Sequence, residues 1–191
     1  MEKKEKRYGK IDVTLKGLSP LLMNRLNPES LKAKSRQKLT EYNDEKDAEA
    51  SAYIATINGK KQLYVPGYAV YSMLIRAAGQ YKSRRTNLSG ILAGTIRVEP
   101  EFIPLGHCNY EVDTRPVVIM KARVNKARAK IPEWEITFQI VYNKRILTEE
   151  IVKMLETILD DAGTRMGLLD YRPQHKGWFG TFEVAKFEIV D

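Results

Sequence analysis

The run Lys121-Ala-Arg-Val-Asn-Lys-Ala-Arg-Ala-Lys130 sets bases at two-residue steps, with one slip between Arg123 and Lys126, and separates them with small residues. In an extended chain, side chains two residues apart share a face at about 6 to 7 Å. That is comparable with successive phosphates on a stretched single strand. Lys121, Arg123, Lys126, Arg128 and Lys130 are therefore the first candidates for gripping a polyanionic backbone, with little reading of sequence. The same charges would also suit a plain edge hairpin, where they discourage aggregation.

A second set lies in Gly167-Leu-Leu-Asp-Tyr-Arg-Pro-Gln-His-Lys-Gly-Trp-Phe-Gly180. Its glycines allow close backbone approach, and rings beside cations are the chemistry that holds unpaired bases. His175 and Trp178 are the stacking candidates, and Arg172 and Lys176 are candidate phosphate contacts. Arg84 and Arg85 would extend the path. Phe179 reads as a core residue, and Asp170 as a possible partner of Arg172.

Catalytic patterns are sparse. His107 and His175 are the only histidines, and no phosphate loop, dinucleotide fingerprint, serine elbow or metal-ligand spacing occurs. Cys108 follows His107, but neighbours on an extended chain point to opposite faces. The expectation is a non-enzymatic protein without a cofactor. A metal-independent ribonuclease is the enzymatic alternative, with His175 or His107 as general acid or base and Lys176 stabilising phosphate charge.

Charge distribution agrees with binding. The chain has 191 residues with Lys+Arg 32 and Asp+Glu 24, a net charge of +8. Two stretches hold bases and no acid: Gly59 to Val98, and Arg115 to Lys130. Acids gather instead in Asp44–Glu49 and from Glu149 to Asp161. One positive face is expected, which favours a polyanion, although a solvated basic surface would read the same way. A hydrophobic share of 43% supports a real core, and one cysteine rules out an intrachain disulfide. The charged start and the lack of a long apolar run point to a soluble, cytoplasmic protein with no membrane partner.

The elements that must position these residues follow from periodicity. Lys10–Lys16 alternates as a strand. Asn58-Gly59 marks a tight hairpin between residues 52–57 and 62–65. Helices are predicted over Tyr68–Tyr81, Leu88–Ala93 and from Thr148 to Gly163 or Gly167. Strands are predicted at Thr95–Val98, Val117–Met120, Trp134–Tyr142 and Gly180–Ile189. The polar stretch from Asn27 to Asp47 reads as an insertion or weak helix. The outcome is one α+β domain over 1–191, with a ferredoxin-like βαββαβ core: an antiparallel sheet with two helices on one face and the other face free to bind. A β-hairpin is inserted and a basic hairpin protrudes, the insertions falling at about 27–65 and 106–132.

With this element order, the basic strand pair and the turn Gly177-Trp-Phe-Gly180, the chain resembles the RAMP superfamily, the ferredoxin-like RNA-binding subunits of CRISPR effector complexes. It is also similar to uncharacterised phage and prophage proteins through Asp170-Tyr-Arg-Pro173 and Gly177-x-Phe-Gly180. The resemblance implies binding of single-stranded RNA by subunits that associate along the strand; a phage setting would suit single-stranded DNA equally. No histidine falls in the first predicted core helix, where processing members often keep a catalytic one, which argues against cleavage. The expected function is sequence-independent binding of single-stranded nucleic acid with self-association. A structural subunit of a viral or effector assembly is a further alternative.

Overall fold

The computed structural model describes residues 6–26, 43–119 and 122–190. In chain order it contains strands β1 (Tyr8–Gly17) and β2 (Leu21–Leu22), helix α1 (Asp44–Ser51), β3 (Ile54–Ile57), β4 (Lys60–Pro66) and α2 (Gly67–Ala78). Next come β5 (Lys82–Ser83), β6 (Thr86–Asn87), α3 (Leu88–Ala93), β7 (Ile96–Glu99) and β8 (Phe102–Pro104). The last group is β9 (Glu111–Ile119), β10 (Ala122–Ile131), β11 (Glu135–Asn143), α4 (Glu149–Arg165), a 3-10 turn (Pro173–His175) and β12 (Phe182–Val190).

Among the described residues the architecture is mixed α+β with antiparallel sheets and four helices, consistent with a ferredoxin-like arrangement. The main sheet runs β12-β1-β11-β7, all neighbours antiparallel. Alternation along β1 sends Ile11, Val13 and Leu15 to one face, opposite Ile140, Phe138 and Ile136 of β11. Helices α2 and α4 cover that face. Val70, Met73, Leu74, Ala77 and Ala78 of α2 and Ile151, Leu155, Ile158, Leu159 and Ala162 of α4 enter the same core. Each fully buried Leu or Ile contributes about 1.5 to 3 kcal/mol relative to exposure.

Local signals explain the boundaries. Asn58 and Gly59 take φ of 52° and 76°, as a two-residue hairpin turn demands. Thr148, Asn87 and Asn43 cap α4, α3 and α1 with side-chain oxygens. Helix α2 stops at Ala78, and bonds from the N–H groups of Gly79, Gln80 and Tyr81 to the carbonyls three residues back carry a tighter turn on to Tyr81. The predicted hairpin of β3 and β4 is no isolated insertion: β8 adds to β4, and Leu63 and Val65 lie in the main core. From the predicted segment 27–47, residues 27–42 lie outside the described residues, and Asp44 onward forms α1.

The basic strand pair forms its own three-stranded sheet in the order β2-β10-β9. Its register sets Lys130 opposite Glu111, Arg128 opposite Asp113 and Lys126 opposite Arg115. No helix among the described residues is long and apolar enough to cross a membrane.

Candidate functional site

A cleft of about 340 Å³ opens between α2 and the segment 167–172. Tyr68, Ala69, Ser72, Met73 and Arg76 form its helical wall, the steps of four from Tyr68 to Ser72 to Arg76 placing three polar groups in one row. Gly167, Leu168, Leu169, Asp170 and Arg172 form the opposite wall, with Asn24 and Tyr53 completing the lining.

The opposite wall is rigidly built. Leu169, Tyr171 and Lys176 all hold positive φ, a conformation that costs about 1 to 3 kcal/mol at each non-glycine position. Gly177 is indispensable to this turn, because a Cβ there would stand 1.7 Å from the carbonyl oxygen of Tyr171. The backbone is pinned on both sides: the N–H of Asp170 donates to Leu22, that of Leu168 to Gly180, and that of Gly180 to Pro20. Phe179 is buried, as its position in the sequence suggested.

Two guanidinium groups meet across the cleft mouth. Nη2 and Nε of Arg172 donate to Gln174 Oε1 at 3.1 and 3.3 Å, and Nη1 of Arg76 reaches the same oxygen at 3.5 Å. Arg172 also donates to the carbonyl of Leu169. Burial, and then the like charge of Arg76, hold the Arg172 guanidinium below its usual range, with Asp170 opposing. Tyr53 is pushed well above the ordinary tyrosine value by burial and by its hydrogen bond with Tyr68. Tyr68 is 63% exposed.

The basic run on β10 behaves differently from its reading as a free ladder. Lys121 lies outside the described residues, and Arg123 is described through its backbone alone, paired with Val118. Lys126, Arg128 and Lys130 do alternate on the strand, but each has a protein partner. Lys126 Nζ donates to Asn24 Oδ1 at 2.7 Å, and burial first, then Arg128, lower its pKa. Arg128 is 7% exposed, and its Nε lies 3.1 Å from Asp170 Oδ2. These two atoms form an ion pair without hydrogen-bond alignment. Asp170 therefore forms its ion pair with Arg128, while its charge acts on Arg172 without a direct contact. Lys130 pairs with Glu111 at 2.7 Å. The cause is packing: the segment 167–172 and β9 press acids against the very strand that carries the bases. Lys126 and Arg128 consequently reach the cleft through Asn24 and Asp170, two of its lining residues.

The remaining candidates lie outside the cleft lining. Arg84 and Arg85 are exposed in the two-residue turn between β5 and β6, with Arg84 at φ 56°. His175 and Lys176 are exposed at the 3-10 turn. Trp178 is 55% exposed, its ring 4.7 Å from that of Phe179, over which Arg115 lies at 4.8 Å. His107 Nδ1 accepts from the Asn109 N–H, while Cys108 Sγ donates to the Lys61 carbonyl. The two side chains are thus occupied separately. Among the described residues, no group of three or more His, Cys, Asp or Glu is placed to hold a metal.

Tyr53, Tyr68, Ser72 and Arg76 were not singled out from the sequence as a site. The available signal was the row Tyr68, Ser72, Arg76 on a helix whose other face is apolar.

No protein-family model matches the sequence, and no curated protein does. Fold comparison is informative. A chain in the cryo-EM structure of the Type III-B Cmr-beta bound to cognate target RNA is similar, with a TM-score of 0.58 at 11% identity. The match covers 97% of this chain and 61% of that one, so this chain spans less than two thirds of its neighbour's length. The likeness is one of fold.

Proposed function

We propose that this protein binds single-stranded nucleic acid, RNA above all, without cleaving it, and that the cleft between α2 and the 167–180 segment is where the backbone is gripped. The observation that carries this reading is the convergence of Arg76 and Arg172 on one neutral acceptor, Gln174 Oε1, with Tyr68 exposed on the same wall. Two cations held together without a carboxylate between them leave a site whose natural complement is a phosphate. An adjacent ring offers a face on which a base can stack. Arg84, Arg85 and Lys176, all exposed, extend the positive path.

The fold likeness to a chain from an RNA-bound structure supports RNA as the ligand. We infer a ferredoxin-like βαββαβ core of RAMP type from the sheet order β12-β1-β11-β7, with α2 between β1 and β7 and α4 between β11 and β12. The edge strand β12, with Ile189 and Val190 partly exposed, supports self-association along a strand.

The test is a fluorescence-anisotropy titration with a labelled single-stranded RNA, comparing the native chain with Arg76→Ala/Arg172→Ala. Loss of two charge-assisted contacts is expected to weaken binding at least about a hundredfold. Unchanged affinity in a folded double variant would rule the cleft out as the grip.

A further inference from the structure

The cleft contains one group that a phosphate grip does not explain. Asp170 is the only carboxylate among the described cleft-lining residues, which also include Arg172 and Asn24. A carboxylate repels phosphate and, when ionised, can only accept hydrogen bonds. Neutralising Arg128 accounts for one of its oxygens: Oδ2 is buried against Arg128 Nε at 3.1 Å. The side chain nevertheless keeps 30% of its surface exposed while Oδ2 itself is buried, and Asp170 is one of the residues that line the cleft. Its aim is fixed. Leu169 and Tyr171 on either side both hold positive φ, and the Asp170 N–H is tied to the Leu22 carbonyl at 3.0 Å.

Resting on the cleft as the nucleic-acid site, we propose that Asp170 accepts a hydrogen bond from the ribose 2′-hydroxyl of the nucleotide whose phosphate sits at Arg76 and Arg172, so that the protein selects RNA over DNA. A neutral donor beside the phosphate is what an acceptor-only group can use there. Ribose and base both carry such donors, but only the ribose donor recurs at every nucleotide whatever the sequence. Selection by Asp170 is thus compatible with reading no bases. The pair with Arg128 engages Oδ2 on the strand side.

The experiment uses the full chain with four ligands of equal length: oligo-rU, oligo-dU, oligo-rU with every 2′-hydroxyl methylated, and oligo-rA. One net hydrogen bond is worth about fivefold, so rU is expected to bind about fivefold or more tightly than dU. The methylated strand, unable to donate, should fall to the dU level, and rA should match rU. Removing both charges of the pair in Asp170→Ala/Arg128→Leu avoids a stranded buried charge and should level rU with dU. Equal affinity of the native chain for rU and dU would overturn the assignment. So would an RNA preference that survives methylation, which would report sugar conformation, or one that follows base identity. Absence of binding to all four ligands would overturn the nucleic-acid reading itself and this assignment with it. Binding without discrimination removes the assignment alone.

Discussion

The open face of the main sheet and the cleft beside α2 both carry cations and dispose of them in opposite ways. On the open face Lys10, Lys186 and Arg97 each have a polar or acidic partner within the sheet. Lys10 donates to Gln139, which donates to Asp12; Thr14 meets Thr137, Lys186 pairs with Glu188, and Arg97 with Glu99. On that face, expected from the sequence to be free for a ligand, these charges are already matched within the sheet. Beyond the helices on the other face, Arg76 and Arg172 converge on a neutral amide. Net charge therefore says less than pairing: cations left without carboxylates can bind phosphate, and cations already paired cannot without losing a partner.

Breaking the cleft wall should give the largest effect. Gly177→Ala drives a Cβ into the Tyr171 carbonyl, so the loop must rebuild; a loss of about 3 kcal/mol in urea unfolding is expected, with nucleic-acid binding abolished. Next comes Arg128→Ala, which removes the ion-pair partner of Asp170 on a mostly buried strand. The expected cost is about 2 kcal/mol, moderated by the partial exposure of the carboxylate. The open face should be nearly silent: Lys10→Ala/Lys186→Ala is expected to change RNA affinity by less than about twofold and stability by less than about 0.5 kcal/mol. A large loss of affinity there would reverse the comparison.

The smallest effect is a titration. Tyr53 in the cleft has its pKa raised by burial, so the folded state holds its proton more tightly than the unfolded chain does. Its contribution to stability is complete below the unfolded value of 10.0 and is lost as pH rises above it. Tyr64, Tyr81 and Tyr110 are shifted the same way, so alkaline destabilisation persists in Tyr53→Phe but shrinks. Tyrosinate absorbance across the transition measures the difference.

Much of this was legible in the chain. The Asn58-Gly59 turn, the cap at Thr148 and the stripes of α2 and α4 are local features, and local features survive folding unchanged. The state of the β10 bases was not, because it depends on register and on a distant segment. Pairing the hairpin across its tip sets Glu111 against Lys130, which the sequence could have offered; Asp170, forty-two residues beyond Arg128, it could not. The cleft escaped notice for the same reason, since Arg76 and Arg172 come together only when α2 packs against the turn before β12.

The central claim is that unpaired cations at the cleft, and not the overall charge of +8, bind a single strand. A salt series of binding titrations with single-stranded RNA, run in parallel on the native chain, Arg76→Ala/Arg172→Ala and Lys10→Ala/Lys186→Ala, tests it directly. Log affinity should fall linearly with log salt, each phosphate contact adding about −0.7 to the slope. The cleft variant should lose roughly two contacts' worth of slope, about 1.4, and the open-face variant none. Equal loss of slope in both variants would show that diffuse charge does the binding and would contradict the account.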